Sequence, residues 1–252
     1  MTLIGSLIIA FSMYSRIPMP RITWTEERMG YVMCFFPLVG AVMGVFLWLF
    51  GEAAQALELG LSYGVGGTIL PILVTGGIHL DGFIDVSDAR SSYGDKAKKL
   101  EILKDPHIGA FAIIRLAVYL LVYLAVFTEL PRKKLPVMGA VYVLTRAMSG
   151  LSVVAFPKAK KDGLAASFSD RARKRTVMWV MTCYGAACLG FLFWREGWLS
   201  AAVTAAVSAL LFWRYHRMAG REFGGITGDL AGWFLQVGEL GLMAAAVVVT
   251  RI

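Results

Sequence analysis

The chain has 252 residues, of which 58% are hydrophobic and only 17% are charged, and its formal net charge is +8. Soluble domains are usually about 45–50% apolar and about 25% charged, so this composition excludes an ordinary soluble domain and indicates a membrane protein. A nucleic-acid-binding protein is also excluded. The cations lie in the gaps between apolar runs, and they form no basic stripe interleaved with aromatic residues.

The apolar segments predict an all-α, polytopic membrane bundle of about seven transmembrane helices. A spanning helix needs about 20 mostly apolar residues. The start, MTLIGSLIIAFSMYSRIP, is shorter than this and is predicted to form a half-length or interfacial helix. No internal repeat is present, so residues 1–252 are predicted to form a single membrane domain. The predicted spans are 31–50, 61–80, 108–130, 135–157, 176–194, 198–213 and 230–250.

Two of these spans, 176–194 and 198–213, are separated by a tight turn and are predicted to form a helical hairpin. The three cysteines, Cys34, Cys183 and Cys188, all lie inside apolar segments, and no pair has the spacing of a zinc site. They are interpreted as small packing residues.

The distribution of lysine and arginine predicts the orientation of the chain. With the N-terminus in the cytoplasm, 18 of the 25 lysines and arginines fall in cytoplasmic regions and only 5 fall outside. Because cytoplasmic loops carry the excess of cations, the loops 81–107, 158–175 and 214–229 are predicted to share the cytoplasmic face. Membrane lipid is therefore an expected partner.

The first polar island is GGIHLDGFIDVSDARSSYGD, residues 76–95, directly after a predicted span. Asp81, Asp85 and Asp88 are spaced i, i+4, i+7, which places them on one face of a helix. Three stacked like charges repel each other. A divalent cation, Mg²⁺ or Mn²⁺, compensates them with hard oxygen ligands. The alternative is a solvated ionic face, in which Arg90 and the lysines of residues 96–104 pair with the carboxylates.

His79 lies about 200° from Asp81 around an ideal helix, so it does not share the stripe. It is either a ligand or hydrogen-bonding partner, or a histidine with a structural role at the membrane interface.

The second polar island is LKDPHIGAF, residues 103–111. Lys104, Asp105 and His107 precede the third predicted span, and Gly109 permits close approach. Asp105 has an alternative interpretation as the cap of a helix that starts at Pro106.

The third island is GGITGDL, residues 224–230, whose glycines are typical of an anion-binding nest. Asp229 lies at the opening of the last span, where an N-cap is the structural alternative.

Charged residues also occur inside predicted spans or in the basic loop between two of them. Arg115, Arg146 and Glu239 lie within spans, where charges are functional candidates by default, and one alternative is that Arg115 pairs with Glu239. The segment FPKAKKDGLAASFSDRARKR carries seven cations. Either this segment contacts anionic lipid and sets the orientation of the chain, or it surrounds the entrance to a site and attracts an anionic substrate.

Taken together, these islands resemble the cobalamin synthase (adenosylcobinamide-GDP ribazoletransferase) family. The resemblance is carried by GGIHLDGFIDVSDA, LEILKDPHIGAF, FPKAKKDGLAASF and GGITGDLAGWFLQVGEL, with SRIPMP and FPLVGAVMG near the N-terminus. It covers nearly the whole chain. It implies a membrane enzyme that joins α-ribazole, or its 5′-phosphate, to adenosylcobinamide-GDP and releases GMP.

The resemblance also implies roles for the polar residues. A ribose hydroxyl attacks the phosphorus nearer the cobinamide, so a divalent metal, a carboxylate base and fixed cations are expected. One of the stripe carboxylates or Asp105 is expected to be the base, and Lys104 and Arg146 are expected to contact phosphate. The expected catalytic residues are Asp81, Asp85, Asp88, Asp105 and Lys104; the Mg²⁺ (or Mn²⁺) ligands are Asp81, Asp85, Asp88 and Asp229; and the substrate-binding residues are His79, Arg146, Gly225, Thr227, Gly228 and Asp229.

Three rival interpretations remain. CDP-alcohol phosphotransferases use similar chemistry, but in their motif DxxD is followed by glycine, whereas Ala89 follows here. An ion-coupled transporter would use the stripe as a cation or proton site, usually near the bilayer midplane and often within inverted repeats. A purely structural membrane protein would leave three polar islands on one face unexplained.

Overall fold

The computed structural model describes residues 2–160 and 164–252, which fold as an all-helical bundle. A 3₁₀ turn (Arg132–Lys134) precedes α8, and a π-helical turn (Ala219–Phe223) follows α11. In chain order the α-helices are α1 (Thr2–Tyr14), α2 (Glu26–Met29), α3 (Val32–Ala56), α4 (Leu61–Thr75), α5 (Ile78–Ser91), α6 (Lys96–Ile102), α7 (Ala110–Glu129), α8 (Leu135–Ala155), α9 (Leu164–Arg171), α10 (Lys174–Glu196), α11 (Trp198–Met218) and α12 (Gly228–Val249).

Six of the helices in the described ranges are long and apolar enough to cross a membrane: α3, α7, α8, α10, α11 and α12. The pair α4 and α5 forms a seventh span only if both helices are counted together. The α1 helix is apolar but has only 13 residues. The predicted polytopic helical bundle with a short N-terminal helix is confirmed.

The α8 helix lies at the centre of the bundle, where it packs against α3, α10 and α12. Most of its residues are buried. By contrast, α7 and α10 expose large apolar side chains, including Leu121, Val122 and Trp179. Exposed apolar surface on helices of this length is suited to contact with lipid.

The predicted span 61–80 is broken in the structure. The α4 helix ends at Thr75, and α5 leaves it at an angle of 97°. Gly76 and Gly77 both have left-handed backbone angles, with φ of +65° and +80°. Only glycine adopts this region readily, so two such residues in a row end one helix and redirect the next. The acidic stripe therefore lies on a separate helix, α5, which packs against α12 and α7.

The predicted hairpin is confirmed, because α10 and α11 pack together and are joined at Gly197. The second helix of the hairpin is longer than predicted and continues to Met218. Cys34 and Cys188 are buried, as packing residues should be. Cys183 is exposed on α10, so the packing interpretation is wrong for this residue.

Candidate active site

The α5 helix presents Asp81, Asp85 and Asp88 on one side, as their spacing predicts. Asp81 is exposed and the other two are partly buried. Val86 and Ala89 of the same helix are fully buried in the core. These buried residues hold α5 against the bundle, while the carboxylates lie at its edge.

Asp229 of α12 joins the carboxylates of α5. The two helices touch at Gly82, where a Cβ atom would lie 2.7 Å from the carbonyl oxygen of Asp229. Asp85 consequently experiences repulsion from Asp81, Asp88 and Asp229. These four residues, Asp81, Asp85, Asp88 and Asp229, are called the acidic cluster below.

The N-cap of α12 is Thr227, so the interpretation of Asp229 as the cap is wrong. The hydroxyl oxygen of Thr227 accepts a hydrogen bond from the amide of Leu230 at 3.2 Å. The same hydroxyl donates to Oδ2 of Asp229 at 3.3 Å. Thr227 thus orients a carboxylate of the cluster, and its predicted contact with substrate stays a prediction.

Nearby cations pair with acids outside the cluster. Arg90 donates two hydrogen bonds of 3.2 Å to Glu222, and Lys99 donates a third of 3.0 Å to the same carboxylate. Lys98 pairs with Glu101 at 3.1 Å. Within residues 2–160 and 164–252, no ion pair includes a member of the acidic cluster. The interpretation of the stripe as an ionic face paired with these cations is therefore wrong.

Gly109 of the second polar island, residues 103–111, contacts Asp88 of the acidic cluster. Its amide donates to Oδ2 of Asp88 at 3.2 Å, and a Cβ atom at this position would lie 2.2 Å from Oδ1. Gly109 is also the N-cap position of α7, which begins at Ala110. A helix that starts at Pro106 with Asp105 as its cap is therefore not formed, and that interpretation is wrong.

Asp105 itself is exposed and interacts with His107. Its Oδ1 accepts a hydrogen bond from the His107 amide at 2.9 Å and lies 2.8 Å from Nδ1 of the same residue. These hydrogen bonds hold the pKa of Asp105 below its usual value. No hydrogen bond or ion pair in the described part of the chain joins Asp105 to the acidic cluster.

One lysine, Lys160, lies near Asp229 of the cluster, and a second, Lys104, lies near Lys160. Lys104 is exposed just after α6. Lys160 donates to the carbonyl oxygen of Leu100 at 3.0 Å and lies close enough to Lys104 and Asp229 to interact with both. Its partial burial, together with the charge of Lys104, lowers the pKa of Lys160. Sequence reasoning counted Lys160 only as one of seven cations in the basic segment, of which residues 161–163 lie outside the described ranges.

A short backbone pairing brings Lys160 to this position. The amide of Ile226 donates to the carbonyl of Pro157 at 2.8 Å, and the amide of Ala159 donates to the carbonyl of Ile226 at 3.0 Å. Gly225 makes the approach possible, because a Cβ atom there would lie 2.4 Å from the oxygen of Pro157. Gly225 therefore packs closely against the backbone of residues 157–159, and its predicted contact with substrate stays a prediction.

Gly228, predicted to bind substrate, differs from Gly225. No heavy atom of the described residues lies within 4 Å of the place that its Cβ would occupy. The backbone at Gly228 is exposed and remains open to a ligand.

Arg146, which was expected to contact phosphate, is fully buried in the core. Its Nη1 donates to Oε1 of Glu239 at 2.8 Å and to the carbonyl of Tyr142 at 3.0 Å. Arg146 therefore forms a structural ion pair with Glu239, which corrects its predicted role as a phosphate contact. The alternative pairing of Arg115 with Glu239 is wrong, since Arg115 donates to the carbonyl of Ser87 at 2.9 Å.

A pocket of about 320 Å³ opens beside Asp81 and Asp229. His79 lies in its wall and is only 4% exposed, so the structure places this predicted substrate-binding residue at a cavity. The other side chains around the pocket are mainly apolar and aromatic, including Tyr14, Phe36 and Phe168.

The acidic cluster has the donor chemistry of a site for a hard divalent cation. Carboxylate oxygens are the ligands that Mg²⁺ and Mn²⁺ prefer, and no cation among the described residues forms an ion pair with these four groups. In the described ranges, no three acidic, histidine or cysteine side chains already converge on one metal position.

Comparison with known proteins gives consistent matches over almost the full length. A family model described as cobalamin-5-phosphate synthase matches residues 6–247. An adenosylcobinamide-GDP ribazoletransferase of Lachnoclostridium phytofermentans is 45% identical over 250 residues, which are 98% of this chain and 95% of that protein. A protein of the same name from Desulfitobacterium hafniense is 31% identical, with 93% of each chain covered. No solved structure matches the chain. The chain belongs to the cobalamin-5-phosphate synthase family.

Proposed function

We propose that this protein is an adenosylcobinamide-GDP ribazoletransferase, which acts in nucleotide loop assembly during the last steps of cobalamin biosynthesis. It joins α-ribazole, or α-ribazole 5′-phosphate, to adenosylcobinamide-GDP and yields adenosylcobalamin, or its 5′-phosphate, and GMP. The observation that carries the proposal is the meeting of α5 and α12. It brings together four carboxylates that have no ion-pair partner among the described residues, and Lys160 lies near one of them, Asp229. The relatives named for this reaction agree with it.

The reaction is a transfer of a substituted phosphoryl group. The oxygen of a ribose hydroxyl forms a bond to the phosphorus nearer the cobinamide, and the bond from that phosphorus to the bridging oxygen breaks. GMP leaves with the electron pair, and the hydroxyl proton passes to a carboxylate. A general base must lie within hydrogen-bond reach of the hydroxyl. The acidic cluster offers that base, and Asp105, exposed and bonded to His107, is the weaker candidate.

The charge of the pyrophosphate requires compensation near the cluster. Asp81, Asp85, Asp88 and Asp229 would hold Mg²⁺ or Mn²⁺, which would neutralise charge on the transferred phosphorus and on the leaving group. Lys160 lies near Asp229 and Lys104 lies near Lys160, so these two lysines supply fixed positive charge beside the cluster. Such fixed cations stabilise charge that develops in the transition state.

The proposed location is the cytoplasmic (inner) membrane of a prokaryote, with the acidic cluster facing the cytoplasm. Six apolar helices of spanning length support insertion in a membrane. The excess of lysine and arginine on the side of the cluster supports the orientation.

An ion-coupled transporter is not favoured by the placement of charge. Transporters usually hold their acids near the bilayer midplane. Here Asp81 and Gly228 are exposed beside the loops, and Glu239, the acid buried within α12, is already paired with Arg146.

The test is turnover by the purified protein in lipid nanodiscs, with adenosylcobinamide-GDP and α-ribazole supplied. We expect release of one GMP per corrinoid product when Mg²⁺ is present, and loss of release when EDTA removes it. Absence of GMP from monodisperse protein with Mg²⁺ or Mn²⁺ would refute the proposed reaction. Full release in EDTA would refute the metal site and leave the reaction standing.

A further inference from the structure

The pocket beside the acidic cluster is shaped like a site for an aromatic group. Its walls come from α1, α3, α5, α8, α9 and α12. Phe36 and Phe168 are each 2% exposed, whereas Asp81 and Gly228 are exposed. The pocket therefore has an aromatic interior and opens at the carboxylates.

Size and charge restrict what the pocket can hold. Its volume of about 320 Å³ lies near the lower end of the range for small-molecule sites, about 300–1,000 Å³. A corrinoid carrying GDP is far too large. A phosphate group is also disfavoured, because none of the described residues that line the pocket is lysine or arginine. The pocket suits an uncharged aromatic group of two fused rings.

His79 provides a polar atom for which the described residues offer no hydrogen-bond partner. Its ring stacks on Tyr14, with centroids 6.1 Å apart, and contacts the edge of Phe36 at 5.8 Å. Its Nε2 is buried and has no hydrogen-bond partner among the described side chains and backbone, so the ring has to turn towards the pocket before this atom can donate to a ligand there. A buried polar group without a partner is costly, so a ligand that accepts a hydrogen bond from this imidazole would be favoured.

We propose that this pocket binds the dimethylbenzimidazole base of α-ribazole, with the imidazole of His79 donating a hydrogen bond to the free ring nitrogen of the base. The inference rests on the function proposed above. The base is uncharged, has two fused rings and carries one ring nitrogen with an available lone pair. When the base fills the aromatic interior, the ribose lies at the mouth between Asp81 and Asp229. Its hydroxyl is thereby delivered to the acidic cluster, and a 5′-phosphate remains outside the apolar walls.

Filling the pocket provides the first test. Val153 lines it from α8, and Val153→Phe places a ring in the space proposed for the base. Ala187→Phe is the matched control, since Ala187 lines a different, wholly separate groove between α3, α8 and α10. Binding of α-ribazole to the full chain in nanodiscs would be measured by equilibrium dialysis. We expect Kd to rise about tenfold or more in Val153→Phe and to stay within about twofold in Ala187→Phe.

The hydrogen bond from His79 has its own test. The probe is the riboside of 5,6-dimethylindole, in which a C–H group replaces the free ring nitrogen. The natural protein should bind α-ribazole about tenfold more tightly than this analogue, and His79→Phe should bind both with equal affinity. If His79 only supports the fold, His79→Phe should weaken the binding of α-ribazole and of the analogue by the same factor. The ratio of the two affinities would then be the same as in the natural protein.

The outcomes separate this inference from the proposed function. If the protein releases GMP but Val153→Phe binds α-ribazole normally, the pocket assignment is overturned and the reaction stands. If α-ribazole binds with the expected response to Val153→Phe but no GMP appears, the pocket assignment holds and the transferase is rejected. Absence of both binding and GMP release overturns both. Should Val153→Phe fail to fold, Leu235→Phe fills the same pocket from α12.

Discussion

Asp85 is the carboxylate most closely surrounded by other carboxylates. Asp81 and Asp88 flank it on α5, and Asp229 approaches it from α12. No cation in the described ranges forms an ion pair with it. Replacing this carboxylate by an amide keeps the side-chain shape but removes a charge and an anionic oxygen ligand. Its contribution to function can therefore be separated from its contribution to packing.

We expect Asp85→Asn to lower kcat for GMP release by about 10²-fold or more, because either a metal ligand or the general base is lost. Size-exclusion chromatography and circular dichroism should show folded, membrane-inserted protein. Asp95→Asn is the matched control. Asp95 accepts the Lys98 amide as the N-cap of α6, and asparagine serves equally well there. Near-normal turnover by Asp85→Asn would remove Asp85 from the site.

Arg146 and Glu239 form a fully buried ion pair that connects α8 with α12. Removing one partner leaves an uncompensated charge in the core, which costs about 3–5 kcal/mol. Arg146→Met should therefore lower the thermal unfolding midpoint strongly, and the double variant Arg146→Met/Glu239→Leu should recover most of the loss. Thermal unfolding in detergent, followed by circular dichroism, measures both effects.

The control for this pair is Arg251→Met, because Arg251 and Glu129 form an exposed pair worth about 0–1 kcal/mol. The opposite result is also informative. If Arg146→Met unfolds normally and only raises KM for adenosylcobinamide-GDP, Arg146 contacts phosphate, as the sequence had indicated.

At the scale of the helices, local patterns predicted most of the elements that form the site. The i, i+4, i+7 spacing predicted the carboxylate face of α5, whereas the predicted span 61–80 ran through Gly76 and Gly77, where the structure breaks it. The angle of 97° was not predictable, since it depends on the packing of α5 against α12 and α7.

Contacts between segments that lie far apart in the chain were not predicted from the sequence. The backbone bond between Pro157 and Ile226 joins residues far apart in sequence, and neither position has a strand-like pattern. The position of Lys160 follows from this pairing. The Arg146–Glu239 pair was missed for the same reason, because hydropathy shows that a charge lies within a span but not which partner faces it.

We expect Gly225→Ala to disrupt the pairing of residues 157–159 with Ile226, because the added Cβ would lie 2.4 Å from the carbonyl oxygen of Pro157. A backbone clash of this kind should destabilise the segment by about 1–3 kcal/mol. Limited proteolysis in detergent should then cleave faster between residues 157 and 175. Gly220→Ala is the control, since no described atom lies within 4 Å of its Cβ position. Equal cleavage of the two variants would show that the pairing contributes little.

At the scale of the whole molecule, the acidic cluster and the loops rich in lysine and arginine lie at the same end of the bundle. The acidic cluster, Lys160 and the mouth of the aromatic pocket all lie where α5 and α12 meet the loops rich in lysine and arginine. The turn at Arg132–Lys134 lies between α7 and α8, at the opposite end of the spans. The proposed function requires the first end to face the cytoplasm, where we expect its two substrates.

Cysteine labelling in intact cells tests this orientation. In a variant with the three native cysteines changed to alanine, Tyr93→Cys and Lys133→Cys each provide one exposed thiol, after α5 and in the turn before α8. A membrane-impermeant maleimide should label Lys133→Cys in intact cells and Tyr93→Cys only in inverted vesicles, because the loop after α5 is rich in lysine and such loops usually remain in the cytoplasm. Labelling of Tyr93→Cys from outside would reverse the orientation and place the acidic cluster on the side away from its proposed substrates.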